Sequence, residues 1–88
     1  MTELDLLREK IDGIDHKIVR LLEDRMELSL RVGEYKAANN LPVLDAEREK
    51  DATKMRTAIL KDKKLGGAIT EIFNLIMRLS RERQEGRK

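Results

Sequence analysis

The stretch "LDLLREKIDGIDHKIVRLLEDRMELSLRVGEY", residues 4–35, decides the fold. Leu4, Leu7, Ile11, Ile14, Ile18, Leu21, Arg25, Leu28, Val32 and Tyr35 follow one another at spacings of 3, 4, 3, 4, 3, 4, 3, 4 and 3. All but Arg25 are apolar or aromatic. That is a heptad seam, the mark of a long helix with one greasy stripe. Gly13 and Gly33 lie within it, each costing roughly 1 kcal/mol against Ala in a helix interior. They read as tolerated or closely packed positions, not as breaks.

Asn39, Asn40 and then Leu41-Pro42 stop this helix, because Asn suits a helix C-terminus and a residue before Pro avoids helical backbone. Asp45 is a good N-cap, and Glu47 and Glu49 suit the positive end of a helix that starts there. The sequence therefore predicts three helices over about residues 4–39, 45–63 and 68–84, in one all-α domain with no internal repeat. The second is expected to turn Ala52, Met55 and Ile59 inward and to end before a turn at Gly66-Gly67. The third is expected to bury Ile69, Ile72, Phe73 and Ile76, and the Gly86-Arg87-Lys88 tail to fray.

Length then argues for a second copy. A helix over residues 4–39 spans about 54 Å, whereas a compact chain of this size has a radius of gyration of about 12 Å. Half of the seam would stand bare in water. An obligate, interlaced homodimer, with the short helices of both chains closing around two long ones, covers it. The alternative is a break at Gly13 or Gly33 and a compact three-helix monomer.

Composition narrows the chemistry. The 88 residues are 41% charged and 2% aromatic, so Leu, Ile, Val and Met must supply the packing. Without cysteine there are no disulfides or thiolate metal sites, and one histidine, His16, makes no metal cluster and reads as an exposed helix residue. No apolar run approaches a membrane span or a signal-peptide core, which makes a soluble cytoplasmic protein the default. A net charge of +2 with intermixed signs gives no case for nucleic acid.

Each helix carries polar residues where apolar ones belong. Arg25 occupies the seam, and Lys36 lies 11 residues on, about three turns, on nearly the same face. Arg48 opens the inner stripe of the second helix, beside Glu49. The third helix's stripe runs out into Ser80 and Gln84. Buried charges are costly unless paired. Arg25, Lys36 and Arg48 face one inner acid, Glu49, with Asp45 engaged in capping. The surplus suits a small, multiply anionic ligand. Arg8 lies 17 residues from Arg25, or about 25 Å along the helix. It reaches the same ligand only from an antiparallel partner chain, which gives two shared sites per dimer.

"LREKIDGIDHKIVRLLEDRMELSLRVGEYK", "LPVLDAEREKD" and "IFNLIMRLSRERQ" together resemble the all-helical chorismate mutases, over about residues 4–84. The shared marks are an early Arg, an Arg and a Lys eleven residues apart, Pro followed by D-x-x-R-E, and S-x-x-x-Q near the end. The Lys-rich connector at 61–67 matches no motif of that family. The resemblance implies an interlaced dimer that converts chorismate to prephenate for phenylalanine and tyrosine synthesis. It further implies that Arg25 grips one carboxylate and Arg8 of the partner subunit the enolpyruvyl carboxylate. Lys36 would bond to a carboxylate and the ether oxygen. Glu49, with Asp45 nearby, would accept from the ring hydroxyl. Arg48 would line the site, Ser80 would approach the ring carboxylate, and Gln84 would donate to the ether oxygen.

That reaction breaks a C–O bond and forms a C–C bond within one molecule. It needs no metal, cofactor, general base or nucleophile, which fits a chain without cysteine or a histidine cluster. It needs a flexible dianion held with its reacting carbons close and donors aimed at the oxygen that gains charge. Lys36 and Gln84 are the expected catalytic donors. Two rivals keep the fold: an isochorismate-pyruvate lyase with a related cationic pocket, and a non-catalytic helical dimerisation module. Whether the chain is free-standing or part of a larger shikimate-pathway polypeptide stays open.

Overall fold

A computed structural model of the protein describes residues 1–86. Three helices account for the fold: α1 (Glu3–Ala38), α2 (Ala46–Ala58) and α3 (Gly66–Gln84), with one 3₁₀ turn at Lys63–Leu65. No strand occurs among the described residues. No helix among them is long and apolar enough to cross a membrane. Of the tail expected to fray, Arg87 and Lys88 lie outside the described residues. Gly86 takes a φ of 77° just past α3, a left-handed end that glycine adopts without strain.

Helix α1 runs unbroken through Gly13 and Gly33 for 36 residues. A capping box starts it: the Asp5 amide donates to Thr2 Oγ1, and the Thr2 amide donates to Asp5 Oδ2, both at 3.1 Å. Its far end is a Schellman turn. Asn40 takes a left-handed φ of 55°, and the Leu41 amide returns to the Lys36 carbonyl at 2.8 Å. Pro42 follows, and the chain reverses into α2. There Asp45 Oδ1 accepts from the Arg48 amide at 3.0 Å, the expected N-cap.

The connector differs from the sequence reading. Helix α2 stops at Ala58, short of residue 63. Lys63 Nζ donates to the carbonyls of Thr57 and Ala58, at 3.2 and 2.7 Å, and so supplies a side-chain donor to the end of α2. Asp62 caps the 3₁₀ turn through the Lys64 amide. Gly66 and Gly67 then form the first residues of α3, where the expectation put a turn and a helix start at 68.

Packing within the chain is one-sided. Helix α3 lies along the C-terminal half of α1, on the face carrying Leu22, Met26, Ser29, Gly33 and Lys36. That face is displaced from the heptad seam. The seam residues Leu4, Leu7, Ile11, Ile14, Ile18, Leu21, Leu28, Val32 and Tyr35 are all exposed in the single chain. Likewise the inner side of α2 is Ala52, Thr53, Arg56 and Thr57. Met55 and Ile59, expected inward, are 65% and 82% exposed. On α3, Ile69, Phe73 and Ile76 are half-buried as expected, Met77 is buried, and Ile72 points outward. His16 is exposed on α1.

At Gly33 the two long helices meet so closely that a Cβ would run into the Gln84 carbonyl oxygen and Cα. Only glycine permits that approach, and the approach sets where Gln84 points.

Candidate active site: a cation-lined pocket

The C-terminal half of α1, the start of α2 and the end of α3 enclose a cavity of about 360 Å³. Arg25, Lys36, Asp45, Arg48, Glu49, Ser80 and Gln84 all line it, with apolar walls from Leu28, Val32, Val43, Ala52 and Met77. The structure thus brings together seven of the eight residues singled out by spacing. Arg8 is not among them. It lies in the N-terminal half of α1, at a second depression formed by Met1, Asp5, Glu9 and Asp12.

Residues of the pocket order one another. Lys36 Nζ donates to the Val43 carbonyl at 2.6 Å and to Gln84 Oε1 at 2.7 Å. An ammonium only donates, so the amide oxygen must face it and Gln84 Nε2 remains as the donor. Arg25 donates to Ser80 Oγ, and Ser80 is 5% exposed. Burial first, and the nearby Arg48 cation second, hold the Arg25 guanidinium below the usual arginine range. Repulsion of that kind is relieved by a bound anion.

Two residues that the sequence reading passed over belong here. Arg81 on α3 donates through one nitrogen to both oxygens of Glu49, at 2.6 and 2.7 Å. The pair is half-buried and ties α2 to α3. Arg56 lines the same pocket. Each had a signal in the sequence: Arg48, Ala52 and Arg56 on α2, and Phe73, Met77 and Arg81 on α3, both at steps of four. Steps of four trace a ridge that packs into a neighbouring helix. The reading followed the alternation of threes and fours and stepped aside to Met55.

Fold and pocket together define an all-helical domain whose cavity is lined by guanidinium, ammonium and amide donors. The comparison with known proteins is specific. The profile of the family described as chorismate mutase type II matches residues 7–85, and the chain belongs to that family. It is 39% identical over 82 residues to a bifunctional chorismate mutase/prephenate dehydratase of Aquifex aeolicus, covering 93% of this chain and 17% of that protein. It is also 39% identical over 72 residues to the enzyme of the same name from Escherichia coli K12, covering 81% of this chain and 19% of that one. The chain therefore spans about a fifth or less of the length of these relatives. A solved structure, a conserved hypothetical protein from Pyrococcus furiosus, matches with a TM-score of 0.80 and 36% identity, covering 96% of this chain and 97% of that one.

Proposed function

We propose that this chain is a cytoplasmic chorismate mutase, rearranging chorismate to prephenate in the synthesis of phenylalanine and tyrosine. The convergence of Arg25, Lys36, Arg48, Glu49, Ser80 and Gln84 on one cavity carries the reading. In it Arg25, with Ser80 beside it, holds one carboxylate; a planar guanidinium fixes orientation as well as charge. Arg48 adds positive potential at the wall. Glu49, steadied by Arg81, accepts from the ring hydroxyl, next to Asp45. Lys36 and the Gln84 amide nitrogen aim at the ether oxygen. Their donors are already placed by mutual contact, so no reorganisation is needed as charge develops there. Favouring that charge over the neutral ether of the substrate is what raises the rate.

The second carboxylate needs Arg8, and the reading gives that role to Arg8 of the partner subunit in an interlaced homodimer. Three observations support the dimer. The chain exposes 7326 Å², ~2000 Å² above the ~5300 Å² of a compact monomer of its mass. Its radius of gyration is 16.3 Å and its long axis 56 Å, against about 12 Å for the radius of a compact chain. Residues 1–21 are exposed throughout, apolar seam included. An excess near ~2000 Å² per chain falls in the range of obligate interfaces.

The test is to incubate the purified chain with chorismate and, separately, with isochorismate. Prephenate from the first supports the mutase. Salicylate plus pyruvate from the second, without prephenate from the first, transfers the pocket to the lyase. Turnover of neither leaves a dimerisation module.

A further inference from the structure

Arg56 is a cation in the pocket for which neither the sequence motifs nor the scheme above has a use. It stands two turns beyond Arg48 on the same side of α2. Its Cζ lies 4.3 Å from the centre of the Phe73 ring, and its NH1 reaches only the weakly accepting Met77 sulfur, at 3.5 Å. The acids of the pocket are occupied elsewhere: Glu49 by Arg81 and Asp45 by the Arg48 amide. Burial, then Arg25 and Arg48, push the Arg56 guanidinium below its ordinary range, and Glu49 only partly offsets them. A guanidinium with one face stacked and no carboxylate bonded to it among the described residues keeps donors to offer an anion in the pocket.

We propose that Arg56 is a further substrate-binding residue, completing with Arg25 and Ser80 a clamp on one carboxylate of the dianion. The geometry favours that end of the pocket. Met77, which Arg56 touches, lies one helical turn before Ser80, and Ser80 is the residue bonded to Arg25. The proposal rests on the reading of the pocket as a chorismate site. Both carboxylates survive the rearrangement, so the clamp holds substrate, transition state and product alike. Binding of that uniform kind changes KM and leaves kcat alone.

Arg56→Met keeps an unbranched chain over Phe73 and removes the charge. The variant should raise KM for chorismate about tenfold or more and raise the inhibition constant of prephenate by the same factor, with kcat within about threefold. Lys54→Met removes a charge from the exposed side of the same helix and should change neither, which separates contact from long-range field. Arg56→Gln, an amide of similar reach, should behave as Arg56→Met, and it carries the test if circular dichroism shows the methionine variant unfolded. An unaltered KM in the folded variant, or a KM that rises while the product constant stays, overturns the clamp. If the wild-type chain makes no prephenate, the assigned reaction fails, and calorimetric titration with chorismate judges Arg56 separately. Weaker binding by the Arg56 variant than by wild type then supports the clamp. Equal binding, or none to either, overturns it.

Discussion

Lys36 Nζ stands 2.7 Å from Gln84 Oε1, and that contact fixes which atom of the Gln84 amide is left to donate. Lys36→Ala should therefore remove two things at once: a cation at the reacting oxygen and the constraint on Gln84. A loss of about 10²- to 10³-fold in kcat is expected, in line with the removal of one preorganised donor. Steady-state kinetics on the folded variant decide it, and near-normal turnover would displace both residues from the chemistry.

The remaining donor is a neutral amide, so the wild-type rate should need no proton at position 84. It should hold level between about pH 6 and 8. Gln84→Glu changes the sign of the argument. An ionised carboxylate pairs with Lys36 and sets negative charge against negative charge. Its activity should be low at neutral pH and recover on acidification, as a carboxyl regains the O–H that donates. A pH–rate profile of the two proteins, read side by side, makes the comparison.

Gly33 and Gly13 should respond oppositely to alanine. At Gly33 the added methyl meets the Gln84 backbone, which has no flexible end to give way. Gly33→Ala should cost about 1–3 kcal/mol as an overpacked contact and should lower turnover by moving Gln84. Gly13 has nothing within 4 Å in the chain, so Gly13→Ala should add up to about 1 kcal/mol through helix propensity. Thermal melting of both variants at equal concentration measures the contrast.

Much of this organisation was legible in the residue order, and what was not has a physical reason. The seam from Leu4 to Tyr35 announced one long unbroken helix, and α1 is that helix. Spacing also gathered Arg25, Lys36, Arg48, Glu49, Ser80 and Gln84 into one cavity. Arg56 and Arg81 escaped because their signal, steps of four along each helix, was passed over for the apolar stripe of alternating threes and fours. Met55 and Ile59 misled for a related reason: apolar character says that a side chain wants cover, not which surface supplies it. The end of α2 was misplaced because Lys63, a side chain from beyond the helix, closes its last carbonyls.

The proposed sharing of sites between two subunits predicts complementation. Arg8→Ala and Arg25→Ala should each be nearly inactive. Mixed, unfolded and refolded together in equal amounts, they should regain about a quarter of wild-type activity. Half of the resulting dimers would be mixed, and each of those would hold one intact pocket of two. No recovery on mixing would mean that Arg8 serves no site across an interface.

Arg81→Met leaves the Glu49 carboxylate without its tie to α3. The pair is partly solvent-accessible, so stability should fall by no more than about 1 kcal/mol. KM should rise severalfold as the start of α2 loosens, and Arg81→Lys should restore part of it. Melting curves and chorismate kinetics on the two variants separate the small structural effect from the larger one on binding.

The bond from Lys36 to the Val43 carbonyl, 2.6 Å long, makes one nitrogen a hinge pin and, in the proposed function, a reagent as well. Any drift of the reversal between α1 and α2 reaches the reacting oxygen with no slack bond in between to absorb it. An inserted residue at Leu41 to Leu44 should thus be felt as lost chemistry. One at Leu60 or Lys61, outside the lining of the cation pocket, should pass almost unnoticed. Drift in length among descendants of this chain is then expected to collect on the far side of α2, leaving the near side frozen.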